Sequence, residues 1–121
     1  MLLEECPVSI ALRAIGGKWK PLLLRELKTG AHRFGELRRR VPEASHKVMT
    51  EQLRQLETAG IVERKIVHGA VPGVEYRLTE YGRTLRPILT DLSKWGETHR
   101  TRVNRAAQSA REQTKVLRIK T

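Results

Sequence analysis

Residues 45–60 read Ser45-His46-Lys47-Val48-Met49-Thr50-Glu51-Gln52-Leu53-Arg54-Gln55-Leu56-Glu57-Thr58-Ala59-Gly60. Ser45 is a good N-cap, because its side-chain oxygen can accept from a free N–H of the first turn. Gly60 is an equally good stop. Between them Met49, Leu53 and Leu56 recur on one helical face, with Gln52 beside them. His46, Lys47, Thr50, Glu51 and Arg54 project from the opposite face. The spacing predicts a helix over Ser45 to Ala59 that docks by its apolar side and presents its polar side outward. About 15 residues give roughly 22 Å of helix, which fits a DNA major groove about 12 Å wide. Its start also offers unpaired N–H groups and the positive end of the helix dipole, both favourable to phosphate.

Upstream, Phe34 to Val41 predicts a brief helix closed by Pro42, preceded by the short polar stretch Ala31-His32-Arg33. Trp19 to Leu27 reads as a buried helix ended by Gly30, with Pro21 tolerable only in its first turn. Cys6-Pro7 opens a first helix carrying Val8, Ala11, Leu12 and Ile15, and Gly16-Gly17 stops it. Downstream of Gly60 the period changes to two. Ile61–Val67 and Val74–Leu78 are expected strands, joined by a hairpin loop over His68 to Gly73. Thr79 then caps a long helix with Tyr81, Leu85, Ile88, Leu89, Leu92 and Trp95 as an apolar stripe and Gly96 as a kink point. This order predicts a mainly α fold with a small antiparallel β-wing, a winged helix-turn-helix.

The chain has 121 residues, suited to one domain, and carries a formal charge of +11. Such a charge points to a polyanion, nucleic acid first. It is unevenly spread. Residues 98–121 contain seven basic side chains and one acidic one, so residues 1–97 are expected to form the DNA-binding domain and 98–121 a basic extension, helical or flexible. No apolar run exceeds three residues, so no membrane span is expected. With Glu4 and Glu5 near the start and Cys6 as the only cysteine, the chain reads as a soluble protein of a reducing compartment, cytoplasmic and nucleoid-associated. His32, His46, His68 and His99 are scattered, so no metal site is expected. Nothing suggests a nucleophile motif, a phosphate loop or paired carboxylates, so neither a catalytic residue nor a cofactor is expected.

These residues carry a resemblance. Cys6-Pro7-Val8, Ile15-Gly16-Gly17-Lys18-Trp19, Gly30 with Arg33-Phe34 and Glu36-Leu37, and Ser45 with Lys47, Thr50 and Leu53-Arg54-Gln55-Leu56-Glu57 come in order. Gly60-Ile61-Val62-Glu63-Arg64, Val74-Glu75-Tyr76-Arg77-Leu78-Thr79 and Trp95-Gly96 follow. Over residues 5–97 the chain resembles the HxlR family of transcription regulators, relatives of the MarR-type winged-helix proteins. The resemblance implies a homodimer formed through the N-terminal and long C-terminal helices, with Ser45–Ala59 reading DNA. Val71-Pro72-Gly73 departs from the family's charged, two-proline wing, and Val67 stands where Tyr is common, so the wing's share of contact is open.

The expected DNA contacts are Ser45, His46, Lys47, Thr50 and Arg54 on the reading helix, Arg33, Arg38 and Arg39 ahead of it, and Arg64, Lys65 and His68 on the wing. Each also has a plainer reading as solvated surface. Cys6, at a helix start where the dipole lowers a thiol pKa, is either an oxidant sensor or a small apolar interface residue. Some family members use a cysteine at this position in sensing. Trp19 and Trp95 either line a small-molecule effector pocket or belong to the core. The expected function is a sequence-specific regulator that binds a pseudo-palindromic promoter site as a homodimer. The alternatives are a winged-helix module for an acidic protein partner, or a non-specific DNA binder.

Overall fold

Each helix begins where a residue type excuses or satisfies its free N–H groups. A computed structural model describes the backbone of residues 5–120 and the side chains of 5–116. Helix α1 (Pro7–Ile15) has Pro at its first position and ends at Gly16. In α2 (Lys20–Leu27) Pro21 falls in the first turn, where its missing N–H costs nothing. Strand β1 (His32–Arg33) leads directly into α3 (Phe34–Arg40). There the Glu36 carboxylate reaches back to accept from the Arg33 N–H at 3.3 Å.

Helix α4 (His46–Thr58) starts at Ser45, whose Oγ accepts from the Val48 N–H at 3.1 Å. It stops at Ala59, followed by Gly60 at φ 75°, a left-handed turn suited to glycine. Ser45→Ala is expected to cost about 1 kcal/mol, read as a shift in urea midpoint; no shift would contradict the cap.

Strands β2 (Val62–Val67) and β3 (Gly73–Leu78) pair antiparallel, with Val62 opposite Leu78 and Val67 opposite Gly73. Strand β1 joins the other edge of β3, giving the order β1-β3-β2. The core lies where α2, α3 and α4 meet the base of this sheet. Leu23, Leu24 and Leu27 of α2, Leu37 of α3, Met49, Leu53 and Leu56 of α4, and Val62 of β2 are all buried. It is almost wholly aliphatic, with Tyr76 the one buried aromatic side chain among the described residues.

The long helix expected after Thr79 is two helices. Thr79 caps only α5 (Glu80–Arg83), its Oγ1 accepting from the Gly82 N–H at 2.8 Å. A break at Thr84-Leu85 precedes α6 (Arg86–Lys120). Pro87 explains it: proline has no N–H for the preceding turn, and its ring clashes with the carbonyl four residues back, so the chain restarts with Pro87 in a first turn. Tyr81 is therefore on α5 and exposed, not on the α6 stripe. Gly96 does not interrupt α6, which continues through the basic segment to Lys120.

Gly82 packs so closely against the residue before β2 that a Cβ there would stand 2.0 Å from the Ile61 carbonyl oxygen. By contacts the chain divides into two units, Met1–Arg86 and Pro87–Thr121. No helix among the described residues is long and apolar enough to cross a membrane.

Candidate nucleic-acid interface

The burial of α4 follows its sequence pattern: Met49, Leu53 and Leu56 are fully inside, while His46, Lys47, Glu51 and Arg54 are exposed. The exposed side forms a shallow groove of about 610 Å³ lined by His46, Lys47, Thr50, Glu51, Arg54 and Gln55. Lys47 and Arg54 carry no ion pair among the described residues, which leaves their donors for guanine acceptors or phosphate. Thr50 donates its hydroxyl to the His46 carbonyl at 2.8 Å. What it presents outward is therefore a lone pair and a methyl group. Ser45 is spent as an acceptor on the cap but keeps its O–H for a phosphate. Gln55 was not anticipated. The signal was available, since Lys47, Glu51 and Gln55 form an i, i+4, i+8 row.

His46 is not a loose surface imidazole. Its ring meets the Phe34 ring edge-on at 4.9 Å, and Phe34 in turn lies 6.4 Å from Tyr76. These rings floor a second cleft of about 640 Å³ between the start of α3, the first turn of α4 and the wing root. Arg33 and Arg39 stand on its rim. The Arg33 guanidinium donates to the Val71 carbonyl at 2.7 Å, tying β1 to the wing loop. Its position is thus a wing anchor. Of the triple arginine run, Arg40 faces Glu26 of α2 at 3.4 Å, whereas Arg38 and Arg39 are exposed, with Arg39 close enough to Glu36 to favour its carboxylate.

On the wing, Arg64 pairs in register with Tyr76, and Lys65 with Glu75. Successive strand side chains point to opposite faces, so Arg64 and Lys65 cannot serve the same stretch of backbone. Glu63 and Arg77 form a cross-strand ion pair. His68 is exposed at the tip, beside Gly69 at φ 145°.

His32 places Nδ1 3.3 Å from Glu36 Oε2 and Nε2 3.1 Å from the Glu26 carbonyl. The His32 hydrogen bond, then the Arg33 N–H, hold the Glu36 carboxyl below the usual carboxylate range. A depressed folded-state pKa adds stability above the unfolded value, near 4.3, and loses it as pH falls through the folded value. Urea midpoints of the natural chain and Glu36→Gln should therefore differ at pH 6, and the gap should shrink as the pH falls through the acid range. A gap of equal size throughout would contradict this.

Cys6 occupies the N-cap position of α1, without a side-chain capping hydrogen bond, and is exposed. The backbone N–H groups of Ser9 and Val8 lower its thiol pKa, against a smaller desolvation cost. Glu5 beside it is paired with Arg13, which removes much of its opposing field; Glu4 lies outside the described residues. Trp19 sits half-buried at the start of α2 with the Lys18 ammonium 4.7 Å from its ring centre. Trp95 is exposed on α6 and stacks on His99 at 4.9 Å. The two tryptophans belong to different units, each with a local partner. No cluster of three His, Cys, Asp or Glu side chains suited to a metal exists among the described residues.

The sequence model described as HxlR-like helix-turn-helix matches residues 14–104. The chain belongs to that family. This HxlR-type protein is 48% identical over 97 residues to the HTH-type transcriptional regulator YybR of Bacillus subtilis, covering 80% of this chain and 78% of YybR. It is 40% identical over 105 residues to an HTH-type regulator of Methanothermobacter thermautotrophicus, covering 87% and 80% of the two chains. Among solved structures, the redox regulator HypR in its reduced form superimposes with a TM-score of 0.76 at 45% identity, covering 82% of this chain and 98% of HypR. Its relatives are regulators rather than enzymes, and the HxlR-type chain is a winged-helix transcriptional regulator.

Proposed function

We propose that this regulator is a homodimer that reads a pseudo-palindromic promoter site with the outer face of α4, and that oxidation of Cys6 alters its grip on DNA. One observation carries the reading of DNA. Helix α4 is capped at Ser45, sealed to the core by Met49, Leu53 and Leu56, and left with unpaired Lys47 and Arg54 on its solvent side. Its 13 residues span about 20 Å, enough to lie along a groove. Two copies related by a twofold axis would place their reading helices about 34 Å apart, one turn of DNA.

Dimerisation is supported by the uncovered apolar side chains of the terminal helices. Val8 and Leu12 of α1 are 64% and 57% exposed, and Trp95 of α6 is 66% exposed. Each helix thus leaves large apolar side chains in water that a second copy would cover. The oxidant response is supported by the Cys6 environment and by the likeness to HypR, solved in oxidised and reduced forms. Two Cys6 thiols of a dimer, or Cys6 and a small thiol, would each lose a proton and together pass two electrons to the oxidant, forming one S–S bond.

Fluorescence anisotropy with DNA selected from random duplexes tests both parts. Diamide is expected to change the affinity of the natural chain and leave Cys6→Ser unaffected. An undiminished diamide response in Cys6→Ser would end the sensor assignment.

A further inference from the structure

The observation that stands apart is a change of character within α6. In its first part, residues 86–97, Arg86 and Lys94 are balanced by Asp91 and Glu97, and the apolar side chains are large: Ile88, Leu92 and Trp95. From Thr98 onward the same helix carries seven cations against Glu112 alone, and its seam shrinks to Val103, Ala106 and Ala110. Residues 105–121 also lie beyond the part of the chain that the family model matches. One valine and two alanines bury too little area to hold a second helix. Two copies of this basic segment would moreover repel each other. Packing thus loses its means along α6 as charge accumulates.

The charges are arranged. At about 100° per residue, Arg102, Arg105, Arg111 and Lys115 fall within one half of the helix circumference; Arg105, Arg111 and Lys115 lie opposite the Val103–Ala106–Ala110 seam and Arg102 flanks it. All four are exposed, and none has an ion-pair partner among the described residues. Arg100 is paired with Glu97, and Glu112, which lies within the same arc, is hydrogen-bonded to Gln108 at 3.3 Å. From Arg102 to Lys115 the row spans about 20 Å along the axis, whereas a DNA duplex offers a phosphate about every 1.7 Å. Four free cations on one face, without aromatic side chains for stacking, fit duplex backbone better than unpaired bases.

We infer that the C-terminal part of α6 is a second, sequence-independent DNA-binding element, a phosphate-contacting arm that this chain adds to its winged helix. It rests on the proposed reading only in that the polyanion is DNA. The arm raises affinity for every sequence alike, while α4 discriminates among them.

The test uses the full chain. A random-sequence 40-base-pair duplex is titrated by anisotropy over a salt series, for the natural chain and for the combined Arg102→Gln, Arg105→Gln, Arg111→Gln, Lys115→Gln variant. Glutamine keeps helix propensity, and far-ultraviolet circular dichroism checks that it does. Each phosphate contact contributes about 0.9 to the slope of log K against log salt, so the slope should fall by about 2 to 4. A companion variant with Arg102→Lys, Arg105→Lys and Arg111→Lys should keep the natural slope, because phosphate responds to charge. An unchanged slope in the glutamine variant overturns the arm and leaves an acidic protein as its partner. Failure of the α4 reading looks different: the natural chain would not prefer selected over scrambled DNA, while loss of slope on random DNA would still uphold the arm.

Discussion

Leu53→Ala is expected to destabilise the winged-helix unit by about 2–5 kcal/mol, with a melting midpoint lower by about 8 °C or more on the scale of about 4–8 °C per kcal/mol. Leu53 is 0% exposed and sits in the middle of the inner face of α4, between Met49 and Leu56. Removing its branched end withdraws apolar surface from the core. It also opens a cavity that α2 and β2, the neighbours of α4, are too tightly packed to fill. Stability is lost because α4 is held by packing, while its own capping at Ser45 contributes only about 1 kcal/mol. Urea melts of the two proteins check this. A loss under 1 kcal/mol would mean that α4 is not anchored by this face, and the account of the site would fall with it.

Arg54→Ala and Lys47→Ala are expected to do the reverse: leave the melt within about 0.5 kcal/mol and weaken binding to selected DNA by about 1–3 kcal/mol each. That is roughly a five- to more than hundred-fold rise in Kd. Both side chains are exposed and unpaired in the free protein, so truncation breaks nothing inside it. Their long donors are the kind that discriminate guanine by its two major-groove acceptors. The losses should fall on one base position each, and affinity for scrambled DNA should change far less. A uniform loss on every sequence would reassign these residues to the phosphate backbone.

The contrast between the inner-face and outer-face substitutions of α4 shows what was legible in the sequence. The two faces of α4 could be read from spacing alone, because a helix with one buried side has a period that nothing else mimics. The starts and stops of α1 to α4 were equally plain, since Pro7, Pro21, Ser45, Gly16 and Gly60 each carry their own local reason. The break before α6 was misread because the apolar period runs on through it. Pro87 held the information, and a proline inside a run of helical spacing outweighs the period.

Long-range polar contacts were out of reach. Arg33 reads as a phosphate contact beside the reading helix, yet its guanidinium holds Val71, 38 residues away. Arg40 faces Glu26 from 14 residues along the chain. No local pattern ties an arginine to a particular carbonyl or carboxylate at such a distance. Only the fold makes them neighbours, and it leaves Arg38 and Arg39 of the α3 run exposed.

The central claim is that the outer face of α4 chooses the DNA sequence. The most direct measurement selects binding sites from random duplexes with the natural chain and repeats the selection with Arg54→Ala. The natural chain is expected to return a pseudo-palindrome with half-sites about one helical turn apart, and the variant the same motif with one symmetric position degraded. Recovery of no motif by the natural chain, or of an identical motif by both proteins, would contradict it.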